Sequence, residues 1–408
     1  MGYTMCRHCT PYNASKKVTP MAQQLPQPST AQLARSEQLM SVIHTLIHQA
    51  HGWLPFDAYM NAALYTPRLG YYASETSPFS ALAADGDFIT APLLSPEFGA
   101  CIAEQALEVF ERVGVAQILE VGAGTGRLAA DILTHLHNRG VQVNYAILEL
   151  SGTLRAQQQA TLADAGVHLS HQVRWLDALP EDYEGFIIGN EVLDAMPVEL
   201  IGVQAGQWFE RGVTADAQGL EYVDRPTDKR LTMPKEWLTA LEDSGATYVS
   251  ETHCQQLAFI ESLGACLKKG VVLMLDYGFP AHEFYHPQRN TGTLMCHIQH
   301  VAHDDALYCP GVQDITAHVN FSALKSPRNL TAIGYVNQAN FLINCGLLEL
   351  LTQLPEEHMR VAANRAHKLI SEAEMGELFK AMAWAKGLAF EEDDTLQGFT
   401  RGNRLLSL

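Results

Sequence analysis

Apolar residues recur at helical spacing over Leu39, Ile43, Leu46, Ile47 and Ala50, which predicts a helix from Arg35 that stops at Gly52. The same reasoning predicts helices over Pro55–Tyr65 and Pro96–Val113. From Gln117 the pattern changes to short apolar runs separated by helical stretches. Ile118, Leu119 and Val121 form a strand, and Gly122, Gly124 and Gly126 follow at alternate positions. Leu128 to Leu133 then opens an amphipathic helix. Further strands are predicted from Asn144 to Glu149, around Gln172–Leu176 before Asp177, and over Gly185–Gly189 before Asn190-Glu191, with a helix over Thr153–Ala165. This alternation is the signature of a parallel sheet covered on both faces, a Rossmann-like α/β fold. Ligands of such sheets sit beyond the carboxyl ends of the strands. Glu120, Glu149, Asp177 and Asn190-Glu191 all fall at or near those ends.

After Pro197 the rhythm breaks. Val198–Val203 and Gln207–Val213 predict a hairpin with glycines in its turn, and a polar, weakly patterned stretch runs to Gly245. A helix over Cys254–Leu267 leads to a strand over Val271–Leu275, ending at Asp276-Tyr277-Gly278. Phe279–Arg328 is rich in His, Pro, Gly and aromatics and reads as a long, ordered loop segment. A helix over Ala332–Asn344 would present Val336, Phe341 and Leu342. Another helix is expected around Glu356–Glu374, and a last strand over Leu378–Ala385. The implied organisation is a disordered leader (1–32), a helical N-terminal cap or lid (33–113), and a core (114–408) carrying insertions at about 198–250 and 279–330.

Composition narrows the function. With 408 residues and a formal net charge of −18, from 45 acidic against 27 basic residues, the chain is a poor partner for a phosphate backbone. It is compatible with a cationic substrate, although an acidic surface more often serves only solubility. No apolar run is long enough to span a membrane. Eight cysteines without framework spacing fit a reducing compartment: the cytoplasm, or the mitochondrion in a eukaryote, where the acid-free leader gives only a faint transit signal. Cys6 and Cys9 form a C-x-x-C beside His8 but lack a second pair, so no zinc is assigned. His297, His300 and His303 with Asp304 and Asp305 read as a solvated loop, and no metal is expected.

The glycines decide the ligand class. A dinucleotide site would place glycine where Arg127 stands, which disfavours a nicotinamide oxidoreductase. The pattern Glu120-x-Gly122-x-Gly124-x-Gly126, with the acid Glu149 closing the next strand, resembles the first motifs of S-adenosylmethionine-dependent methyltransferases. Beyond it, Gly70-Tyr71-Tyr72, Gly86-Asp87-Phe88-Ile89-Thr90-Ala91-Pro92 and Glu191-Val192-Leu193-Asp194-Ala195-Met196-Pro197-Val198 resemble the MidA-like family. So do Asp276-Tyr277-Gly278, Gly292-Thr293-Leu294, Pro310–Val319 and Met375-Gly376-Glu377-Leu378-Phe379. The family includes a mitochondrial complex I assembly factor that methylates arginine. Two departures stand out: Leu93-Leu94 replaces the usual Glu-Ile, and Asn320 replaces an Asp.

The resemblance implies methyl transfer from S-adenosylmethionine to a protein, with an arginine of a respiratory complex I subunit as one acceptor. Cofactor contacts are assigned to Glu120, Gly122, Gly124, Gly126, Glu149, Asp177 and Asn190. Asp177 reads equally as a helix N-cap. Catalysis is assigned to Glu191, which would grip a planar cationic guanidinium, with Asp194 as its partner or simply a helix-start acid. Asp87, Asp276, Tyr277, Asp314 and His318 are candidates for the acceptor groove or for fixing loops. Two rivals stay open: a small-molecule methyltransferase, and an assembly factor using the cofactor fold as a scaffold. Oligomeric state is open, a homodimer included.

Overall fold

The computed structural model describes residues 25–74, 90–167, 172–391 and 394–408. Two compact units emerge, each assembled from three separate stretches of chain.

One unit comprises residues 89–194, 256–284 and 319–408. Its sheet runs Thr331–Asn337, Phe379–Lys386, Leu267–Phe279, Tyr183–Asn190, Gln117–Val121, Asn144–Leu148 and Gln172–Leu176. The last five strands of that order are mutually parallel, and Phe379–Lys386 runs antiparallel between its two neighbours. Central strands are apolar on both faces, as a doubly covered sheet requires. Phe186, Ile188, Val271, Leu273 and Leu275 pack with Phe98, Ile102 and Val109 of the helix Pro96–Val113 and with Ile132 and Leu133 of Arg127–Asn138. Each such side chain contributes about 1.5–3 kcal/mol by leaving water. Helix Pro96–Val113 has the expected bounds and stops at Gly114, whose left-handed φ of 92° lets its N–H cap Phe110 O.

The other unit comprises residues 1–88, 195–255 and 285–318. The expected hairpin is present as Glu199–Gln204 and Gln207–Ala215, turning at Ala205-Gly206. Leu54–Pro55, Leu220–Pro226 and Tyr248–Thr252 extend it into a five-stranded antiparallel sheet. Helices Thr30–Gln49 and Phe56–Tyr65 bury Leu39, Ile43, Ile47, Phe56, Tyr59 and Met60.

The units group residues differently from the expected cap and core. Helix Pro96–Val113 lies with the parallel sheet, and residues of both expected insertions lie with the N-terminal helices. Two local expectations are corrected. Residues 332–337, expected to begin a helix, belong to the strand Thr331–Asn337, and only Gln338–Asn344 is helical. The reason is pairing: Thr331–Asn337 lies along Phe379–Lys386, and Asn337 then caps the helix through Asn340 N–H at 2.9 Å. Within the expected loop 279–328, Met295–Ile298, Val301–His303 and Asp314–Thr316 form a small antiparallel sheet. Among the described residues no helix is long and apolar enough to cross a membrane.

Candidate active site

The glycine loop lies at the carboxyl end of strand Gln117–Val121. Gly122, Gly124 and Gly126 have φ of 69°, 51° and 81°, a region that costs a side-chain-bearing residue about 1–2 kcal/mol. Space is as restrictive as conformation. A β-carbon on Gly122 would stand 2.8 Å from Val192 Cγ2, and one on Gly126 would stand 3.0 Å from Gln158 Cα. Gly126 is the N-cap of helix Arg127–Asn138, which has no side-chain cap, and the first N–H groups of a helix have no partner within it. Arg127 does not enter that loop's bonding; its Nε bonds Asp131 Oδ2 at 2.9 Å.

Glu149 follows strand Asn144–Leu148 and is half-buried. Its Oε1 accepts the Ser151 N–H at 2.8 Å and its Oε2 accepts Gln158 Nε2 at 3.2 Å. A carboxylate offers about four acceptor positions, so each oxygen keeps one for a further donor. Glu120 is buried beneath the loop, accepts the Tyr145 hydroxyl at 2.9 Å, and is pushed up to about 7 by burial against that bond's pull, with Glu149's charge adding to the rise. Asp177 is exposed and paired with Arg155 at 2.6 Å.

One strand over lies a carboxylate cluster. Asn190 ends strand Tyr183–Asn190, and Glu191 follows with a left-handed φ of 53°, unusual for a side-chain-bearing residue. The turn is held because Asp276, fully buried, collects the backbone N–H groups of Val192, Leu193 and Asp194 on Oδ2 at 3.1, 2.8 and 3.3 Å. Tyr277 donates its hydroxyl to Asp194 Oδ2 at 2.5 Å. Asn190 Nδ2 donates to Glu191 Oε1 at 3.1 Å, and the Ala91 N–H also bonds the Glu191 carboxylate. Burial, then the charge of Asp194, pushes Glu191 up to about 8. The same two causes hold Asp276 well above the ordinary aspartate range. Among the described residues none donates to the buried Asn190 Oδ1.

Asp314 and His318 belong to the other unit. Asp314 is buried and accepts the Tyr72 hydroxyl at 2.9 Å, while His318 O bonds His253 Nε2 at 2.9 Å and His318 N–H bonds Thr293 Oγ1 at 3.1 Å. Asp87 lies outside the described residues, as do Cys6 and Cys9. No group of three or more potential metal ligands occurs among the described residues.

Three side chains that pattern reading did not single out join the site: Tyr145, Gln158 and Val192. Val192 falls in the Glu191–Val198 stretch that carries the family resemblance, whereas Tyr145 and Gln158 carry no such signal because each acts through a contact made only after folding.

The loop and its acids fit S-adenosylmethionine. Left-handed glycines keep β-carbons out of the loop, Glu149 retains acceptor positions for two hydroxyls, and Asn190 Oδ1 awaits a donor. Comparison with known proteins agrees. Residues 101–335 match a family profile described as S-adenosyl-L-methionine-dependent methyltransferase. A crystallised COG1565 superfamily member from Burkholderia thailandensis, bound to S-adenosyl-homocysteine, is 44% identical. The match covers 94% of this chain and 100% of that one, with a TM-score of 0.86. Mitochondrial proteins named protein arginine methyltransferase NDUFAF7 are 28% identical in Mus musculus over 77% of this chain and 76% of theirs. The Drosophila melanogaster homologue is 27% identical over 83% and 82%. The chain belongs to the MidA-like family of S-adenosyl-L-methionine-dependent methyltransferases.

Proposed function

We propose that this enzyme methylates a protein on arginine. The observation that supports this most is the cluster of Glu191, Asp194 and Asp276 at the ends of adjacent parallel strands. The charge of Asp194 raises the proton affinity of both Glu191 and Asp276, and acids gathered in this way create a demand for a cation. A guanidinium is planar, cationic and matched to paired carboxylates.

In this reading Gly122, Gly124, Gly126, Glu149, Asp177 and Asn190 hold the cofactor, with Glu120 supporting the loop from below. Bound S-adenosylmethionine supplies a methyl group already activated on sulfonium. Glu191 orients the acceptor nitrogen, Asp194 is fixed for the same task by Tyr277, and Asp276 keeps the turn closed by holding its N–H groups. As the new N–CH3 bond forms and the C–S bond breaks, the nitrogen's proton passes to Glu191, whose high proton affinity suits it to receive one. Asp87, Asp314 and His318 remain candidates for the acceptor groove. The acceptor is a protein, with a respiratory complex I subunit as the first to try, and the compartment is reducing: cytoplasmic, or mitochondrial in a eukaryote.

The test is transfer of labelled methyl from S-adenosylmethionine to lysate proteins and to arginine or lysine peptides, using wild type and Glu191→Gln. Label on arginine, lost in the variant with S-adenosylhomocysteine binding retained, is expected. Label confined to small metabolites would overturn the protein reading, and cofactor binding without transfer to any acceptor would favour a scaffold.

A further inference from the structure

We infer that Gln158, on the helix Gly152–Asp164, is a positioning residue for cofactor binding that acts through Glu149. The inference rests on the reading of Glu149 as the ribose acid.

Gln158 has no exposed surface, an uncommon state for a glutamine. Its carboxamide bonds three partners drawn from three different parts of the chain. Trp175 Nε1 donates to Gln158 Oε1 at 2.8 Å. Gln158 Nε2 donates to Gly124 O at 3.0 Å and to Glu149 Oε2 at 3.2 Å. An indole N–H can only donate, so Trp175 fixes which end of the amide is oxygen and turns both amide hydrogens toward the glycine loop and Glu149. One side chain thus ties the loop after the first parallel strand, the acid after the second and the surface of the third. Gly126 lets the helix come this close, since a β-carbon there would stand 3.2 Å from Gln158 Cβ. A second tether, Thr161 Oγ1 to Thr125 O at 2.8 Å, holds the same loop without touching Glu149.

The geometry has a chemical outcome. Ser151 N–H takes one position on Oε1 and Gln158 takes one on Oε2. The carboxylate is left with one position on each oxygen, the number two vicinal hydroxyls require. Without Gln158, Oε2 loses its anchor and Glu149 can rotate away from that pose.

The decisive experiment is a double-mutant cycle on S-adenosylhomocysteine affinity, by calorimetry, with wild type, Gln158→Leu, Glu149→Ala and the double variant. Thr161→Val serves as a clamp control. A hydrogen bond to a charged group predicts that Gln158→Leu weakens binding about 10- to 100-fold. In the Glu149→Ala background the same change should cost no more than about threefold, while Thr161→Val should cost the same in both backgrounds. An equal loss from Gln158→Leu in both backgrounds would reduce Gln158 to a structural clamp and overturn the inference, as would wild-type affinity. Trp175→Phe, which frees the amide while keeping a ring, gives the same discrimination should Gln158→Leu fail to fold. If Glu149→Ala itself binds like wild type, the ribose reading fails first, and the inference with it.

Discussion

Replacing Glu191 by Gln should stabilise the ligand-free protein at alkaline pH while removing methyl transfer. Glu191 is raised from the ordinary 4.5 to about 8 by burial and by Asp194. Each tenfold in proton affinity is worth about 1.4 kcal/mol, so holding this side chain ionised costs the folded chain at most about 5 kcal/mol. Glu191 is half-buried, and solvent screening brings the figure to about 2–4 kcal/mol. The folded-state value is the higher one. The stabilisation tied to the protonated form is therefore complete below about 4.5 and is lost as pH rises through about 8. Gln cannot ionise and shows no such loss. Glu120 and Asp131, also raised, are common to both proteins and cancel. Asp276 feels the charge of Glu191, and its removal relaxes Asp276 in the same direction. Thermal melts at pH 5 and pH 8.5 are the assay. The advantage of Glu191→Gln should grow by about 3–6 °C between them. An advantage that is constant or shrinks with pH would refute the reading of this cluster as mutually repelling acids.

Tyr145→Phe should cost about 1–3 kcal/mol by leaving the buried Glu120 without its donor. Because the loss of that bond raises Glu120 above about 7, the deficit in melting temperature should be larger at pH 8 than at pH 6. Gly126→Ala should lose about 1–2 kcal/mol from its φ of 81° and should weaken S-adenosylhomocysteine binding at least tenfold by calorimetry, since the new methyl presses on Gln158. Tyr277→Phe should lower kcat about 10- to 100-fold with KM for S-adenosylmethionine little changed. It removes the hydroxyl that fixes Asp194 and leaves the glycine loop alone. Asp276→Ala should cost about 3 kcal/mol or more in denaturant unfolding, because three N–H groups lose their acceptor at a left-handed residue.

The cofactor half of the site was legible in the sequence because its needs are local. Left-handed turns demand glycine, and parallel strands demand short apolar runs ending in polar residues. Glu120, Glu149 and Asn190 stand at those ends as the pattern required. What could not be read depends on partners distant in the chain. Val336, Phe341 and Leu342 read as parts of one helix, yet the first lies on a strand because Phe379–Lys386 offers it a ladder. Leu220–Pro226 pairs on one side only and exposes most of its side chains, so it lacks an apolar signature. Asp276 could be read as a groove residue or as a loop-fixing acid, and only the fold shows it fully buried and holding the Glu191 turn. Gln158 has the composition of an ordinary helix surface and becomes important only once Trp175 and Gly124 surround it.

The unit built from residues 1–88, 195–255 and 285–318 has a consequence for how the chain is made. Leu54 pairs with Val213, and Tyr59 donates its hydroxyl to Ala306 O at 2.7 Å. Helix Thr30–Gln49 packs on helix Phe56–Tyr65, which follows at once, and on strand Gln207–Ala215, which is made much later. At about 5–20 residues per second, that interval is on the order of 8–30 s. During it the helix pair lacks its sheet, while residues 89–194, which supply the glycine loop and four of the parallel strands, emerge. Yield on expression should then depend on translation speed and holdase chaperones more than on the stability of the finished protein.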